Sequence, residues 1–469
     1  MIVSPAFAGK RYAVLGLARS GAATVRALVA SGAHVTAWDS DEAKRQVFLR
    51  HPGEGRDPVP GVDPAPGLRW GEVEIADVLA IDLAGYDGIV VSPGVPLNTH
   101  PIAAKAREAG VPVIGDIELF AQARASLPAH KVVAITGTNG KSTTTALIHH
   151  ILQTAGIPTM MGGNIGLPIL GQEPLPEGGV YVLELSSFQI DLTFTLDADV
   201  AVLTNITPDH LDRYDGFEAY AASKWRLFEM QSEGHVGVFN DEDPEIWTLL
   251  DRVDLGELTY RGSDLRHRSE IITNGRWPAD GEPGSLQKFL PSLQGPHNAS
   301  NAAMAFVVAK QFVADEERII RAMMSFAGLP HRMQRVAEID GVLYVNDSKA
   351  TNATSTAPAL GAYPRIHWIC GGRRKTDDLD ACKPFYGHVI SAWTIGEAAE
   401  LFETILLESG IHARNVGTLE RAVKQAAQIA RNGEVVLLSP ACASYDQFRD
   451  YEARGDAFRA AVAMLGSEA

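Results

Sequence analysis

The sequence predicts an α/β protein built from parallel sheets in about three successive units. Three observations carry that expectation. At 469 residues the chain exceeds what one core usually organises, and roughly 150 residues per domain gives about three. Short β-rich runs alternate with helical stretches throughout, the pattern of strands joined by crossover helices. The alternation restarts twice, at "KVVAIT" and after "FAGLPHRMQRV".

The first unit reads as strand "RYAVLGL", helix "SGAATVRALVASGA", strand "HVTAWDS" and a later strand "YDGIVVSPGV". Between them residues 51–67, "HPGEGRDPVPGVDPAPG", are dense in Pro and Gly without period, so an exposed insertion loop with no chemistry of its own is expected. A helical connector near "ELFAQARASLPAH" leads to the second unit. There a helix beginning at Phe217 gathers Phe217, Tyr220, Ala221, Lys224 and Phe228 on one face, with Arg226 opposite. A lysine inside an apolar stripe must be paired, deprotonated, snorkelling or chemically changed. The third unit supplies strands at "VLYVND", "IHWICGG", "VISAWTIG" and "GEVVLLSPA", the last preceded by the helix "LERAVKQAAQIARNG" with its glycine stop.

The composition, 46% hydrophobic and 21% charged, is that of an ordinary globular protein. A net charge of -16 argues against nucleic acid or an anionic membrane as partner. An anionic small substrate would need its own cluster of basic and N–H groups. Cys370, Cys382 and Cys442 show no metal-ligand spacing, which suits a reducing compartment. No stretch approaches 18 apolar residues and the N-terminus reads as a first strand, so a cytoplasmic location is expected. Nothing demands more than a monomer.

The strongest local signal is "VVAITGTNGKSTTTALIHHIL", residues 132–152. Strand, glycine turn and Lys141-Ser142-Thr143 at a helix start aim backbone N–H groups at a phosphate, with Lys141 for its terminal oxygens and Ser142 for Mg²⁺. Ile135 stands where the common phosphate-loop spacing has its first glycine. "GLARSG" with Asp39 at the next strand end is compatible with a nicotinamide site, a UDP-sugar site or a structural turn. "SPGV", residues 92–95, is another turn that could take a diphosphate. Glu184, Asp209 and His210 follow apolar runs, where the edge of a parallel sheet offers Mg²⁺ ligands. Asp347, Ser348 and Lys349 sit at a further strand-to-helix turn, followed by the basic "GGRRKTDD" and the small-residue loop "LSPACASYDQFRDYEARG".

Together "TGTNGKST", "GGNIG", "ELSSFQ", "TNITPDHLDRY", "PHNASN", "LPHRMQ", "NDSKATN" and "SPACASYDQF" resemble the Mur ligase superfamily, within it the branch that adds D-glutamate. The resemblance covers nearly the whole chain in order. It implies an N-terminal Rossmann-like domain for UDP in residues 1–120, a central P-loop ATPase-like domain in 121–329, and a C-terminal Rossmann-like domain in 330–469 that takes glutamate and closes over ATP. It also implies an ATP-dependent amide ligase: UDP-N-acetylmuramoyl-L-alanine becomes an acyl phosphate, which the amine of D-glutamate attacks, as a step of peptidoglycan synthesis.

Residue roles carry over by motif. For ATP the resemblance implies Gly137, Thr138, Asn139, Gly140, Lys141, Ser142 and Thr143, then Asn298 and Asn301 beside His297, and Arg332 with Asp347. For metal it implies two Mg²⁺ ions, held by Ser142, Glu184, His210 and Lys224, the lysine carbamylated by CO₂. Lys349 would steady the acyl phosphate. Arg19, Ser20, Asp39, Ser40, Ser92, Gly94, Asn164 and His210 would serve the UDP substrate, and Asp209 the metal surroundings. Thr351, Lys375, Ser444 and Tyr451 would take glutamate. The rival readings are a relative adding another amino acid or L-glutamate, and a nicotinamide-dependent dehydrogenase suggested by "GLARSG" and Asp39.

Overall fold

A computed structural model describes residues 1–49, 73–209, 212–240, 243–246, 248, 269–272, 289–374 and 377–467. The loop expected at 51–67, His210 and Lys375 lie outside the described residues. The chain carries three sheets in two compact units, one of residues 1–274 with 304–319, the other of residues 275–303 with 320–469.

In the first unit a five-stranded sheet has the order β3 (Val73–Ile75), β2 (His34–Trp38), β1 (Arg11–Leu15), β4 (Gly88–Val91), β5 (Val113–Ile114), all parallel. A six-stranded parallel sheet follows, ordered β11 (Ser269–Ile272), β10 (Val236–Asn240), β9 (Val200–Leu203), β6 (His130–Thr136), β8 (Gly179–Glu184), β7 (Thr159–Gly163). Helices cover both faces of a parallel sheet, so its strands are apolar on both sides. Val132, Val133, Ala134 and Ile135 of β6 are accordingly fully buried.

The connector is a buried strut. Its helix, Asp116–Ala123, buries Ile117, Leu119 and Phe120, and Phe120 packs edge-on against Tyr181 of β8 with ring centroids 4.9 Å apart. Buried Glu118 accepts hydrogen bonds from the Phe194 N–H (2.7 Å), the Thr195 N–H (2.9 Å) and the Thr195 hydroxyl (2.8 Å). A carboxylate satisfied this fully ties the connector to the segment before β9.

The second unit holds a six-stranded sheet ordered β12 (Gln334–Ile339), β13 (Val342–Asn346), β17 (Val435–Leu438), β14 (Ile366–Gly371), β15 (Val389–Ile395), β16 (Ala413–Gly417). The four expected strands are β13, β14, β15 and β17. β12 and β16 were not expected; β12 is the antiparallel partner of β13, and β16 pairs parallel with β15. The hairpin turns at Asp340 and Gly341, both at positive φ, a pair suited to a tight two-residue turn.

At the end of this sheet where β14 and β17 begin, buried His367 bridges Ser391 Oγ (2.8 Å) and Glu434 Oε2 (2.9 Å). Glu434 also accepts from Arg365 Nη2 (2.6 Å) and the Arg431 N–H (2.9 Å). Burial alone would raise its pKa, but His367, Arg365 and Arg431 outweigh that and hold it down at about 2, against an ordinary 4.5. A depressed carboxylate stabilises the fold above its unfolded pKa and loses that contribution as pH falls through the folded value. Glu434→Gln should therefore cost on the order of 1–3 kcal/mol at neutral pH. The melting-temperature gap from wild type should close as pH falls from about 4.5 towards about 2.

Candidate active site

The register of the second sheet assembles the site. Ile135 of β6 pairs with Glu184 of β8, Thr136 with Leu203 of β9, and Gly163 of β7 with Glu184. The phosphate-loop motif, the acid and the segment "TNITP" therefore leave one sheet edge side by side, the edge where parallel α/β sheets take ligands.

Residues 204–207 shape the glycine turn. Thr138 N–H donates to Asn205 O (2.9 Å) and Asn139 N–H to Asn205 Oδ1 (2.8 Å). Thr204 Oγ1 donates to Asn139 O (2.6 Å), and Thr138 Oγ1 to Thr207 O (3.1 Å). Gly137 has φ +144°, and a Cβ there would stand 2.0 Å from Thr204 Oγ1. The helix Lys141–Thr154 starts from Gly140 with no side-chain cap, so its first N–H groups face the turn and suit an anion. Lys141 Nζ donates to Gly137 O (2.9 Å) and Thr138 O (2.8 Å).

Glu184 is buried at the end of β8. Its Oε1 accepts from Asn164 Nδ2 (2.8 Å), and Asn164 N–H also donates to Glu184 O (2.8 Å). Gly163 permits that approach, because a Cβ on it would lie 2.2 Å from the Glu184 carbonyl oxygen. Oε2 is buried with no hydrogen-bond partner. An acceptor-only oxygen left this way beside a phosphate turn fits a cation. Among the described residues no three His, Cys, Asp or Glu side chains gather into a ready cage. Mg²⁺ needs only one or two protein oxygens when phosphates complete its shell, and Glu184 with buried Ser142 fits that demand.

The helix predicted from Phe217 runs Gly216–Glu229 and is buried more broadly than one stripe, since Ser223, Trp225 and Leu227 are buried with Tyr220, Ala221, Lys224 and Phe228. Lys224 is 2% exposed, donates to Gly137 O (2.9 Å), and has its Nζ 4.5 Å from the Tyr220 ring centroid. Burial first, then the Lys141 ammonium, drive its pKa well below the ordinary lysine value, against the weaker pull of Asp209 and Asp191. Of the four sequence-stated fates, the structure pairs Lys224 with a carbonyl and favours its neutral form.

In the first sheet, Asp39 is engaged by the chain itself. Its Oδ2 accepts from the Leu17 N–H (2.7 Å) and its Oδ1 from the Asp41 N–H (2.9 Å), with Lys44 Nζ at 3.5 Å. Burial opposes ionisation there, yet these donors win and lower its pKa. Asp39 thus fixes the "GLARSG" turn. Exposed Arg19 donates from Nη2 to Gly166 O (3.2 Å), joining that turn to "GGNIG". Ser20 and Ser92 line a small cavity with Asp116, whose pKa burial raises to about 6. Ser40 and Gly94 lie at the same sheet edge, after β2 and β4.

The second unit collects another set. Asp347 accepts from the Met333 N–H (3.2 Å) and Ser439 Oγ (2.8 Å), and burial raises its pKa to about 7 despite Arg332 and Arg454. Lys349 N–H donates to His331 O (3.0 Å), so the "LPHRMQ" loop that carries Arg332 is fastened to this turn. Lys349 Nζ stands 3.9 Å from the Tyr451 ring centroid. Thr351 immediately precedes Asn352, the cap of the helix Ala353–Gly361, and Ser444 is buried in the "SPACAS" loop. Asn298 and Asn301 are buried and share a 3.2 Å hydrogen bond, while burial lowers the pKa of neighbouring His297 to about 4.

Sequence reasoning missed Thr204 and Asn205, which read as part of a motif without a role of their own. It also missed Arg454, 1% exposed, which donates to Ser348 Oγ (3.0 Å), Ser348 O (2.8 Å) and Cys442 O (3.0 Å) and so clamps "DSKATN" to "SPACAS". Its place after the conspicuous "SPACASYDQF" is the one available signal.

The family model described as the Mur ligase middle domain matches residues 135–309, and that described as the Mur ligase glutamate ligase domain matches 331–442. The chain is 57% identical over 467 residues to UDP-N-acetylmuramoylalanine--D-glutamate ligase of Novosphingobium aromaticivorans, covering 99% of this chain and 97% of that one. It is 52% identical over 469 residues to the protein of that name from Zymomonas mobilis subsp. mobilis, covering 99% and 100%. Among solved structures, UDP-N-acetylmuramate-alanine ligase from Thermotoga maritima superposes with TM-score 0.55 at 16% identity, covering 98% of this chain and 100% of that one. MurF ligase from Thermotoga maritima in complex with ADP gives 0.53 at 15%, covering 99% and 98%. These two share the fold.

Gly137→Ala tests the turn. Backbone strain of about 1–3 kcal/mol, at about 1.4 kcal/mol per tenfold, should weaken binding of a fluorescent ADP analogue on the order of five- to a hundredfold. Circular dichroism should be unchanged.

Proposed function

The chain belongs to the Mur ligase family, and we propose that it joins D-glutamate to UDP-N-acetylmuramoyl-L-alanine with consumption of ATP, a cytoplasmic step of peptidoglycan synthesis. The observation that carries this reading is identity above half, over nearly the whole chain, to relatives bearing that activity in their names. In this reading residues 1–120 take the UDP moiety, 121–329 the ATP, and 330–469 the glutamate.

A carboxylate resists attack by an amine because oxide is a poor leaving group. Transfer of the γ-phosphoryl group to the alanyl carboxylate turns that oxygen into phosphate. The glutamate nitrogen then attacks the acyl carbon, the tetrahedral adduct expels phosphate, and the amide forms. Catalysis in such a transfer is mostly positioning and charge neutralisation. The N–H groups at the start of the helix Lys141–Thr154 would receive the ATP phosphates, and Lys141 would leave the Gly137 and Thr138 carbonyls for their terminal oxygens. Glu184 and Ser142 would hold one Mg²⁺, His210 and a carbamate on Lys224 a second. When bound, the ions supply positive charge to the phosphoryl oxygens. Arg332 and Asp347 would complete nucleotide binding, and Lys349 would neutralise charge on the acyl phosphate. Thr351, Lys375, Ser444 and Tyr451 would receive glutamate. Asn164 acts through Glu184, whose carboxylate it orients.

Carbamylation needs a neutral amine. The Lys224 nitrogen attacks CO₂, a N–C bond forms, and the amine proton leaves to solvent. Burial and Lys141 favour the neutral amine. The anionic product would answer the neighbouring ammonium and the metal, so it suits the place better than the lysine does.

Phosphate release from ATP should require UDP-N-acetylmuramoyl-L-alanine and D-glutamate together. Equal release with L-glutamate or another amino acid would overturn the specificity, and none with the D-glutamate pair would overturn the reading. Lys224→Ala should lower kcat on the order of a hundredfold or more, with partial recovery on addition of short carboxylic acids. An unimpaired variant would rule out the carbamate.

A further inference from the structure

One side chain in the first unit joins two segments of the site. Arg213, half-buried, donates from Nη2 to the carbonyl of Val95 (3.0 Å), the last residue of the "SPGV" turn after β4. Its guanidinium lies 4.3 Å over the ring of Phe188, in the short helix Ser187–Asp191 that begins three residues after Glu184. Phe188 in turn stacks on Tyr214, Arg213's neighbour, with centroids 5.8 Å apart and planes 7° from parallel. A guanidinium over one ring and donating to one carbonyl is a directional arrangement that lysine does not reproduce.

The surroundings give this contact a fixed base. The helix Ser187–Asp191 is held by a reciprocal capping box between Ser186 and Gln189. Asp191 accepts from Tyr214 Oη (2.8 Å) and from Ser223 Oγ (2.7 Å), the latter on the helix that bears Lys224. A second tie runs in parallel, from Asn98 Nδ2 to Asp212 O (3.1 Å). The chain from the "SPGV" turn to Asn98 is thus bonded through side chains to Asp212 and Arg213, and stacked through Arg213 on the segment that continues from the metal-fitting acid.

We propose that Arg213 is a positioning residue, which fixes the turn of residues 92–95 relative to Glu184 so that an anchored substrate presents its carboxylate to the phosphoryl donor. The role in turnover rests on the ligase reading above. The tie itself rests on the geometry. Misplacement by about 1 Å in such a site costs on the order of a hundredfold in rate, so the effect belongs in kcat and not in ATP affinity.

Two arms test this. In the ligand-free protein, hydrogen exchange should quicken in Arg213→Met at both 92–98 and 187–191, with 141–154 unchanged. Unchanged exchange at either segment overturns the tie, whatever the protein's substrates. In turnover, Arg213→Met should lower kcat on the order of tenfold or more, leaving the ATP dissociation constant within about twofold. Guanidinium ion should restore part of the rate to Arg213→Ala. Phe188→Leu combined with Arg213→Met should fall short of the product of the single effects, as expected for groups acting together. Unaltered kcat, independent effects, or ATP affinity lost in step with kcat without recovery by guanidinium would each reduce Arg213 to a structural contact. A wild-type protein that releases no phosphate with the D-glutamate pair would sink the ligase reading instead, leaving exchange to decide this one.

Discussion

The site depends on the pairing of β6 with β8 and β9. Three neighbouring strands end within one residue of each other, so Gly137, Glu184 and Thr204 emerge together without any long loop having to be ordered. Everything else at this edge follows from that register. Thr204 and Asn205 can lace the glycine turn because β9 lies directly beside β6, and Asn164 can reach Glu184 because β7 lies beside β8. A parallel pair slipped by one residue would turn each of these side chains to the other face of the sheet.

Crowding at the Gly137 carbonyl is the electrostatic counterpart. Both Lys141 and Lys224 donate to this one oxygen, and the Lys141 ammonium disfavours charge on Lys224. Lys141 lies at the start of its helix beside the glycine turn, whereas Lys224 is buried, and burial is the first cause that lowers the Lys224 pKa. Burial thus disfavours the charged form of Lys224.

Much of this was legible in the sequence, and unevenly so. The strand, glycine turn and helix at 132–152 could be read because each part obeys a local rule: an apolar run, residues tolerant of positive φ, and a helix start. The inward direction of Lys224 followed from helical periodicity. β12 escaped notice because its burial is partial and its sequence, "QRVAEI", has no continuous apolar run, although the Asp340–Gly341 turn marked it. Arg454 escaped for a different reason. Its partners are main-chain oxygens and a hydroxyl about 10 and 100 positions away, and no local pattern encodes such contacts. Asp39 was legible as important but not as to why, since its partners are backbone N–H groups of its own unit.

Glu118 bears on how such proteins can be recombined. Its carboxylate is buried in the turn before β9, and the helix that carries it packs on β8, so the connector belongs physically to the central sheet although it follows the first sheet in sequence. A chimaera joined at residue 120 would split that helix and leave donors at Phe194 and Thr195 facing a foreign side chain. A graft of the first sheet from a relative would preserve both partners only with its seam ahead of Gly115, whose N–H already bonds to Leu192 O (2.9 Å), or with the whole of residues 115–126 and 192–195 taken from one parent.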